Sequence, residues 1–327
     1  MDTLVLKQSE VLSLLRSQEV LDAVESAFRA YGLKQVQMPP KSYLFYNRYS
    51  GDLRTMPAYI EPADATGVKI VNVHPHNGEK GLPTVMAVVV LNDPRTGYPI
   101  ALMNGTYLTA LRTGAAGAIA SKYLARKDAS VVGFIGCGVQ AQTQLEMHVL
   151  VRSIRKIVIY DINMEILKHF QQWVQDNFSV EVRVAASVEE ACQCDILNTL
   201  TPVKTPIVKA SFVRPGMHIN AIGADAPGKE ELESMILKNA RVVVDDWEQA
   251  HHSGEISVPC ERGEFSRADL YGDLGEIVAG LKPGRQNDQD ITVFDSTGLG
   301  IQDIVVAHLV YNRAAKEGIG THVDLFA

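Results

Sequence analysis

The sequence predicts an α/β protein in which a doubly wound, parallel-sheet domain is joined to an antiparallel α+β domain. From residue 129 onward, apolar strand-like runs alternate with helical patterns, which is typical of parallel sheets with crossover helices. Before residue 105, short apolar runs are separated only by turn signals. Because crossover helices have no room there, this spacing indicates antiparallel pairing. A helix rich in alanine and glycine, residues 106–127, links the two parts.

The first part is predicted to contain two helices and five strands. Residues 9–33 show the pattern of a polar-capped helix, and residues 302–316 predict a final helix that returns to this part with the run 321–326. β-branched and alternating runs predict strands over residues 42–46, 53–60, 67–73, 84–91 and 99–103. We therefore place the antiparallel domain at residues 1–112 and 303–327.

The second part, residues 113–302, is predicted to be the parallel-sheet domain. Its first strand, residues 130–135, is followed by a helical pattern and then by an apolar run over residues 156–160. Another helix is predicted over residues 164–177. Further strands are predicted over residues 181–185, 195–200, 218–222, 241–244 and 292–294. Such alternation of strands and helices is typical of Rossmann-type folds.

Composition argues against several classes of partner. The 327 residues are 46% hydrophobic and 21% charged, as expected for a globular protein of about two domains. The net charge of −7 and the shortness of the basic clusters argue against nucleic acid. The longest apolar run, residues 85–91, is far shorter than the roughly 20 residues of a membrane span, and the first residues do not resemble a signal segment. We therefore expect a cytoplasmic protein without a membrane partner.

A glycine-rich turn after the first strand of the parallel domain predicts a dinucleotide site. In the motif Gly136-Cys137-Gly138-Val139-Gln140-Ala141, Gly136 permits the tight turn and Gly138 lets the backbone approach a pyrophosphate. The following helix directs its N-terminus at the phosphates. Asp161 ends the second strand, where a carboxylate can accept hydrogen bonds from a ribose 2′-hydroxyl and repels a 2′-phosphate. The sequence therefore predicts NAD rather than NADP as the cofactor.

Four basic side chains interrupt stretches that are otherwise apolar or turn-like: Lys41, Arg54, Lys69 and Arg112. A lysine on a core strand, such as Lys69, is costly unless it meets an anion or has a lowered pKa. The pattern alone leaves open that Lys69 extends to water along the surface. It also leaves open whether Arg112 is an ordinary helix charge or a ligand of a carboxylate or phosphate, which the planar guanidinium suits.

Asp225 and Ser296 follow short apolar strands, at the edge of a parallel sheet where ligands bind. A carboxylate there can act as an acid, a base or an ammonium ligand, but Asp225 also precedes Ala226-Pro227-Gly228, and spacing alone favours a turn. The Ser296 hydroxyl can contact a cofactor or cap the next helix. No metal site is predicted, because the histidines lack the spacing of a helical metal pair and the four cysteines lack that of a zinc site or disulfide framework.

Seven segments together resemble the ornithine cyclodeaminase/mu-crystallin family, in order and nearly from end to end. Within that family the chain is most similar to the archaeal-type alanine dehydrogenases. The segments are Met38-Pro39-Pro40-Lys41, Asp52-Leu53-Arg54-Thr55-Met56-Pro57, Gly81-Leu82-Pro83-Thr84, Leu111-Arg112-Thr113-Gly114-Ala115-Ala116, Gly133-Phe134-Ile135-Gly136-Cys137-Gly138, Asn220-Ala221-Ile222-Gly223-Ala224-Asp225 and Asp295-Ser296-Thr297-Gly298-Leu299.

The resemblance implies a homodimer joined through the antiparallel domains, with a Rossmann domain in each subunit and the active site between domains. It implies that Lys69 is the catalytic proton donor or acceptor and that Asp225 is a second catalytic residue that handles the amine. Lys41 and Arg54, together with Lys69, become ligands of the substrate carboxylate. Cofactor contacts are implied at Thr84, Arg112, Gly136, Gly138, Val139, Gln140, Asp161, Ile162, Asn163, Ile222, Gly223, Ala224, Lys229 and Ser296.

Two reactions of the family open in the same way: a hydride leaves the amino-bearing carbon for the nicotinamide and an imine remains. In a dehydrogenase, water then attacks and releases ammonia and a 2-oxo acid. In a cyclodeaminase, the distal amine of the substrate attacks, ammonia leaves and the hydride returns. For this chain we expect a small amino acid or a 2-oxo acid as the substrate.

Arg54 favours the first of these reactions. It stands where cyclodeaminases carry an acid that holds the distal ammonium of ornithine, and a cation there disfavours a diamine. We therefore expect reversible NAD-dependent oxidative deamination of L-alanine to pyruvate and ammonium. The alternatives are an ornithine cyclodeaminase and a non-catalytic nicotinamide-binding protein; Lys69, Arg112 and Asp225 argue against the latter. A related imine reductase is expected to prefer NADPH, which Asp161 opposes.

Overall fold

Two separate sheets organise the chain in the computed structural model, which describes residues 2–327. The first unit comprises the chain up to Arg112 together with Leu299–Ala327, and the second comprises Thr113–Gly298. The predicted α/β class is confirmed, because the first unit contains a mainly antiparallel sheet and the second a doubly wound parallel sheet. The chain returns to the first unit at Leu299 rather than at the predicted Asp303.

The sheet of the first unit contains eight strands, numbered here in chain order. They are β1 (Thr3–Leu6), β2 (Val36–Gln37), β3 (Ser42–Tyr46), β4 (Gly51–Ile60), β5 (Ala65–Val73), β6 (Val85–Asn92), β7 (Pro99–Asn104) and β16 (Thr321–Val323). Their order is β16-β1-β7-β6-β5-β4-β2, and β3 also pairs with β4. All neighbours are antiparallel except β1 and β7, which run parallel. Strand β1 was not predicted, and it can pair in parallel with β7 because the long chain between the two strands imposes no hairpin.

Helices cover one face of this sheet. Helix α11 (Gly300–Glu317) packs on β4, β5 and β6 and against α2 (Ser17–Gly32). The single helix predicted over residues 9–33 is two helices, because the backbone of Leu15 and Arg16 between them is extended. A Cβ on Gly300 would lie 3.0 Å from the Pro57 carbonyl oxygen, so glycine lets the last helix begin close to β4. The helices are α1 (Gln8–Leu14), α2 (Ser17–Gly32), α3 (Thr106–Leu124), which contains the boundary between the units, and α11 (Gly300–Glu317).

The sheet of the second unit is entirely parallel. Its strands are β8 (Val131–Ile135), β9 (Lys156–Tyr160), β10 (Glu181–Val184), β11 (Ile196–Thr199), β12 (His218–Ala221), β13 (Arg241–Val244), β14 (Leu270–Asp273) and β15 (Thr292–Asp295). Their order is β10-β9-β8-β11-β12-β15-β13-β14, so the chain reverses direction across the sheet between β8 and β11. Ligands of doubly wound sheets bind at such a point, beyond the carboxyl ends of the strands.

Apolar side chains pack on both faces of the parallel sheet, which agrees with the nearly continuous apolar runs of its strands. Strand β14 was not predicted, because it is short and contains glycine and aspartate. Among residues 2–327, no helix is long and apolar enough to cross a membrane. The helices of this unit are α4 (Val139–Val151), α5 (Met164–Asn177), α6 (Val188–Ala191), α7 (Ser234–Asn239), α8 (Trp247–Ser253), α9 (Ser257–Glu261) and α10 (Leu274–Val278).

Candidate active site

Lys69 lies on the buried face of the antiparallel sheet. It stands opposite Met56 of β4, and residues opposite each other in an antiparallel pair share a face. Arg54 and Met56 are buried and alternate with half-exposed neighbours along β4. Lys69 itself is only 1% exposed. The strand alternation therefore carries this lysine into the core, and it does not extend to water.

The first turn of α11 supplies the anion that meets Lys69. The Asp303 Oδ2 atom lies 2.7 Å from Lys69 Nζ, and Asp303 Oδ1 accepts a hydrogen bond of 2.8 Å from Arg112 Nε. Arg112 Nη1 also donates to Gln302 Oε1 at 2.8 Å. One buried carboxylate therefore holds two cations, and Arg112 lies beside the lysine.

This environment lowers the pKa of Lys69 from its usual 10.5 to about 7. Burial is the largest cause, because it penalises the charged ammonium form, and the positive charges of Arg112 and Lys41 act in the same direction. The carboxylate of Asp303 opposes the decrease. Near pH 7 Lys69 therefore exists in both protonation states and can donate or accept a proton.

Arg54 forms a two-pronged ion pair with Asp52. Its Nε and Nη2 atoms donate to the two oxygens of the Asp52 carboxylate, each at 3.0 Å, and its guanidinium lies over the ring of Tyr43. From the positive charge of Arg54 in the sequence, we inferred that a diamine such as ornithine is a poor substrate. Asp52 compensates that charge, so the electrostatic reason against a diamine no longer holds.

Two other predicted residues of the first unit lie differently. Lys41 is half-buried and close enough to lower the pKa of Lys69. Thr84 is exposed just before β6, and its carbonyl accepts a hydrogen bond from the His74 amide. The substrate role of Lys41 and the cofactor role of Thr84 remain predictions.

Sequence reasoning missed Asp303 and Gln302. Both are buried in the first turn of α11, although the surrounding segment Gly298–Val306 is otherwise apolar or small. A charge in such a segment is the same signal that singled out Lys69. The Gln302 Nε2 atom is buried without a hydrogen-bond partner among the described residues, which leaves an amide donor beside Arg112.

The predicted cofactor residues of the second unit gather at one edge of the parallel sheet. They follow the carboxyl ends of β8, β9, β12 and β15, four of five consecutive strands in the sheet. Parallel strands end at the same edge, so the tertiary structure brings together loops that are far apart in sequence. The residues are Gly136, Gly138, Val139, Gln140, Asp161, Ile162, Asn163, Ile222, Gly223, Ala224, Lys229 and Ser296.

The glycine loop between β8 and α4 has the geometry that a pyrophosphate requires. Gly136 has a φ of +95°, a conformation that side chains rarely permit. Gly138 is the residue before α4, and a Cβ built on it would meet no protein atom within 4 Å. Open space therefore lies in front of the backbone at the N-terminus of the helix, where an anion is favoured.

Asp161 has a second role that the sequence did not reveal. Its Oδ2 atom accepts a hydrogen bond of 2.8 Å from the Cys137 amide, and its Oδ1 atom accepts one of 2.8 Å from the Asn163 amide. The carboxylate therefore ties the glycine loop to the loop after β9. Next to it, Ile162 is 89% exposed and offers an apolar surface for a flat ring.

Asp225 and Ser296 have contrasting surroundings. Asp225 Oδ1 lies 2.5 Å from Lys229 Nζ, which also donates to the Gly223 carbonyl. The Ser296 hydroxyl is buried and has no hydrogen-bond partner among residues 2–327. An orphaned hydroxyl at the edge where the cofactor loops meet fits a ligand that supplies the missing partner. Together with the glycine loop and Asp161, this edge fits a dinucleotide.

The histidines and acids form no recognisable metal centre in the described part of the chain. His218 has a structural explanation, because its ring is buried and hydrogen-bonds to Thr292 and Asn220. The four cysteines are unpaired, and burial raises the pKa of the Cys137 thiol to about 12. Cys137 is therefore a protonated packing residue.

Comparison with known proteins identifies the family. The model of the ornithine cyclodeaminase/mu-crystallin family matches residues 1–318. This chain belongs to that family. An alanine dehydrogenase from Archaeoglobus fulgidus is 52% identical over 327 residues, which cover 100% of this chain and 99% of the relative. The resemblance inferred from the sequence motifs is therefore confirmed.

Two solved structures have the same fold as this chain. An archaeal alanine dehydrogenase dimer with bound NAD matches with a TM-score of 0.96 and 51% identity over 100% of both chains. The Δ1-pyrroline-2-carboxylate reductase of Thermococcus litoralis, in complex with NADH and L-proline, matches with a TM-score of 0.95 and 40% identity over 98% of this chain and 100% of that chain. The second complex contains NADH, and the preference of related imine reductases for NADPH stays a prediction.

Proposed function

We propose that this chain catalyses the reversible NAD-dependent oxidative deamination of L-alanine to pyruvate and ammonium. NAD is the cofactor, and the chain is an oxidoreductase. The observation that carries the proposal is Lys69, a buried lysine with a pKa of about 7 in a chain that also has the dinucleotide loop. Alanine is proposed as the substrate because the A. fulgidus relative is an alanine dehydrogenase at 52% identity.

Lys69 moves the proton in this proposal. NAD, when bound, takes the hydride from the amino-bearing carbon of alanine. The neutral amine of Lys69 accepts a proton from the substrate ammonium or from the water that attacks the resulting imine. In the reverse direction, the ammonium form returns that proton. Overall, alanine, NAD⁺ and water give pyruvate, ammonium, NADH and one proton.

The charges around Lys69 suit an anionic substrate group. Lys69, when protonated, and Arg112 share the single carboxylate of Asp303, so these three groups then carry a net positive charge. The unpartnered Gln302 amide adds a hydrogen-bond donor beside Arg112. We propose that the Gln302 amide, together with Lys41, Arg54 and Lys69, binds the substrate carboxylate.

Asp225 is proposed as the second catalytic residue, which handles the amine. Its ion pair with Lys229 keeps a compensating charge beside it in the absence of substrate. A substrate ammonium group would compete with Lys229 for the same carboxylate. This exchange would let the partly exposed Asp225 carboxylate bind the amine in place of Lys229.

A second candidate function is the NADH-dependent reduction of a cyclic imine to an amino acid such as proline. The observation that favours it is the close match to the T. litoralis reductase in complex with NADH and L-proline. The chemistry is the alanine reaction reversed on a preformed imine, so the same proton donor serves both.

An absorbance assay of NADH decides between these functions. Purified protein is given NADH with pyruvate and ammonium, and in parallel NADH with Δ1-pyrroline-2-carboxylate. We expect faster NADH oxidation in the first reaction, and a higher kcat/KM for the cyclic imine would contradict the alanine proposal. Formation of proline from ornithine and NAD without net NADH would identify a cyclodeaminase. No turnover together with NADH binding would identify a non-catalytic binding protein.

The first unit carries a surface that suits a homodimer. The sheet face opposite the covering helices carries a group of apolar side chains, whereas a solvated face of an antiparallel sheet is usually polar. Cross-strand register places its members in adjacent rows, so they form a continuous patch. We propose that this face joins two copies of the chain, as the archaeal alanine dehydrogenase dimer suggests. The patch comprises Val68, Ile70, Met86, Val88, Val90 and Leu102.

Val88→Asp is expected to separate the dimer into monomers. Val88 is 41% exposed at the centre of the patch. An aspartate that the dimer interface buries without a partner would weaken association by about 3–5 kcal/mol, the cost typical of an unpaired buried charge. Sedimentation at micromolar concentration should give a dimer mass for the unaltered protein and a monomer mass for the variant. The matched control is Val184→Asp on β10, where Val184 is 39% exposed outside the patch. A monomer mass for the unaltered protein would exclude the proposed interface.

A further inference from the structure

Glu231 joins two loops at the carboxyl edge of the parallel sheet. Its Oε1 atom accepts hydrogen bonds of 2.7 Å from both the amide and the hydroxyl of Thr201, which lies just after β11. Its Oε2 atom accepts one of 3.0 Å from the amide of Gly223, just after β12. Both oxygens of this fully buried carboxylate are therefore used to hold loop backbone.

The fit around this carboxylate is close. A Cβ on Gly223 would lie 2.3 Å from the Thr201 carbonyl oxygen and 2.5 Å from Glu231 Oε2, so only glycine permits the approach. The two loops therefore touch through backbone, and Glu231 fills the space beside them. Any shift of Glu231 changes where the Gly223 backbone lies.

Glu231 is itself held by a second buried acid. Glu255 accepts hydrogen bonds from the amides of Glu231 and Leu232. Burial and the neighbouring Glu231 raise the pKa of Glu255 well above its usual range, whereas the donors of Thr201 and Gly223 limit the rise that burial causes in the pKa of Glu231. These donors therefore favour the carboxylate form of Glu231, which both of its loop contacts require.

The same arrangement recurs along this edge. Asp161 holds the amide of Cys137 in the glycine loop, and Asp245, just after β13, holds the amides of Thr297 and Gly298, just after β15. In each case a carboxylate after one strand binds backbone of the loop after a neighbouring strand. Fixing these loops costs conformational entropy, which such bonds offset before a ligand arrives.

We propose that Glu231 is a positioning residue for the nicotinamide half of the cofactor site. The proposal rests on the cofactor contacts proposed for Ile222, Gly223 and Ala224. Doubly wound folds bind one mononucleotide on each half of the sheet. The glycine loop and Asp161 belong to the half that begins with β8, whereas Thr201 and Gly223 belong to the half that begins with β11. Glu231 should therefore affect NADH without affecting a ligand that lacks nicotinamide.

Glu231→Gln tests this selectivity. Glutamine keeps one acceptor oxygen and places an NH₂ group against an N–H donor, so one side of the bridge is lost. We expect the Kd for NADH, measured by NADH fluorescence, to rise by about tenfold or more, because that is the effect of losing a hydrogen bond to a charged group. The Kd for ADP should change by less than about twofold. Thr201→Val removes only the hydrogen bond from the Thr201 hydroxyl to Glu231 and should raise the Kd for NADH by a smaller factor. This variant tests the proposal if Glu231→Gln does not fold.

Glu230→Gln is the matched control. Glu230 is equally buried in the same segment, but its carboxylate pairs with Arg262. This variant should leave both dissociation constants unchanged. Equal weakening of NADH and ADP by Glu231→Gln, or no weakening of either, would overturn the proposal. If the unaltered protein binds ADP and not NADH, the proposed cofactor itself is wrong and the inference about Glu231 is wrong with it.

Discussion

Lys69→Ala is expected to lower kcat for alanine deamination by roughly 10²-fold or more, the contribution typical of general acid-base catalysis. The variant loses the amine whose pKa, about 7, suits proton transfer at neutral pH. Arg112, which also pairs with Asp303, has only hydrogen-bond donors and cannot accept a proton in its place. Initial rates of NADH formation with saturating alanine and NAD measure the effect.

Binding of the cofactor separates a chemical role of Lys69 from a structural one. NADH affinity should stay near that of the unaltered protein, because the substitution leaves the dinucleotide loop and the Arg112–Asp303 ion pair in place. The control is Lys156→Ala, since Lys156 begins β9 and pairs with Glu181 at the opposite end of the strand from the cofactor loops. A Lys69→Ala protein that retains its kcat would exclude Lys69 as the proton-transfer residue.

The pH dependence of deamination should report the same group. A lysine acts as a base only in its neutral form, so kcat/KM for alanine should rise as pH increases through about 7, the pKa of Lys69. Asp303→Asn removes the carboxylate that favours the ammonium form of Lys69, so the pKa of Lys69 should fall. The pH at which kcat/KM rises should then be lower in the variant than in the unaltered protein. If that pH is unchanged or higher, Lys69 is not the group that titrates.

Asp161→Ser is expected to reduce the preference for NAD over NADP by roughly 10²-fold, because the charge that repels the 2′-phosphate is lost. The structure adds a second consequence. The variant also loses the bonds to the Cys137 and Asn163 amides, so NAD binding itself should weaken. The ratio of kcat/KM values for the two nucleotides isolates the charge, since loosening of the glycine loop affects both.

Asp161→Asn is the matched variant for this experiment. Asparagine keeps one acceptor oxygen for the loop and lacks the charge. If repulsion sets the preference, Asp161→Asn and Asp161→Ser should lose it to a similar extent, although asparagine should keep more of the affinity for NAD. The charge argument is untenable if the unaltered protein turns over NADPH as well as NADH.

Several features could be predicted from the sequence because they are local. The turn at Gly136 and Gly138 and the acid at the end of β9 occur within about thirty residues, and the strand period alone marks Lys69 as an anomaly on an apolar strand. The helix α11 was predicted two residues late, at Gln302, because Gly300 weakens a helical pattern. Its close approach to β4, which requires glycine, appears only when the sheet is formed.

The charge partners could not be predicted in the same way. Asp303 lies 234 positions after Lys69, and nothing in either local pattern states that the first turn of α11 meets β5. The ion pair between Arg54 and Asp52 was not predicted. Residues two apart on a strand lie on the same face, but the sequence does not show whether their side chains form an ion pair. Glu231 and Thr201 are brought together only by the adjacency of β11 and β12.

The sequence by itself determined the fold class, the family and the dinucleotide loop, because each depends on contiguous patterns of residue size, polarity and chain flexibility. Only the tertiary structure decided the protonation of Lys69 and which acids hold the loops at the sheet edge. Those properties depend on burial and on distances of a few ångströms between residues far apart in the chain. A buried charge takes its pKa and its role from the neighbours that packing provides.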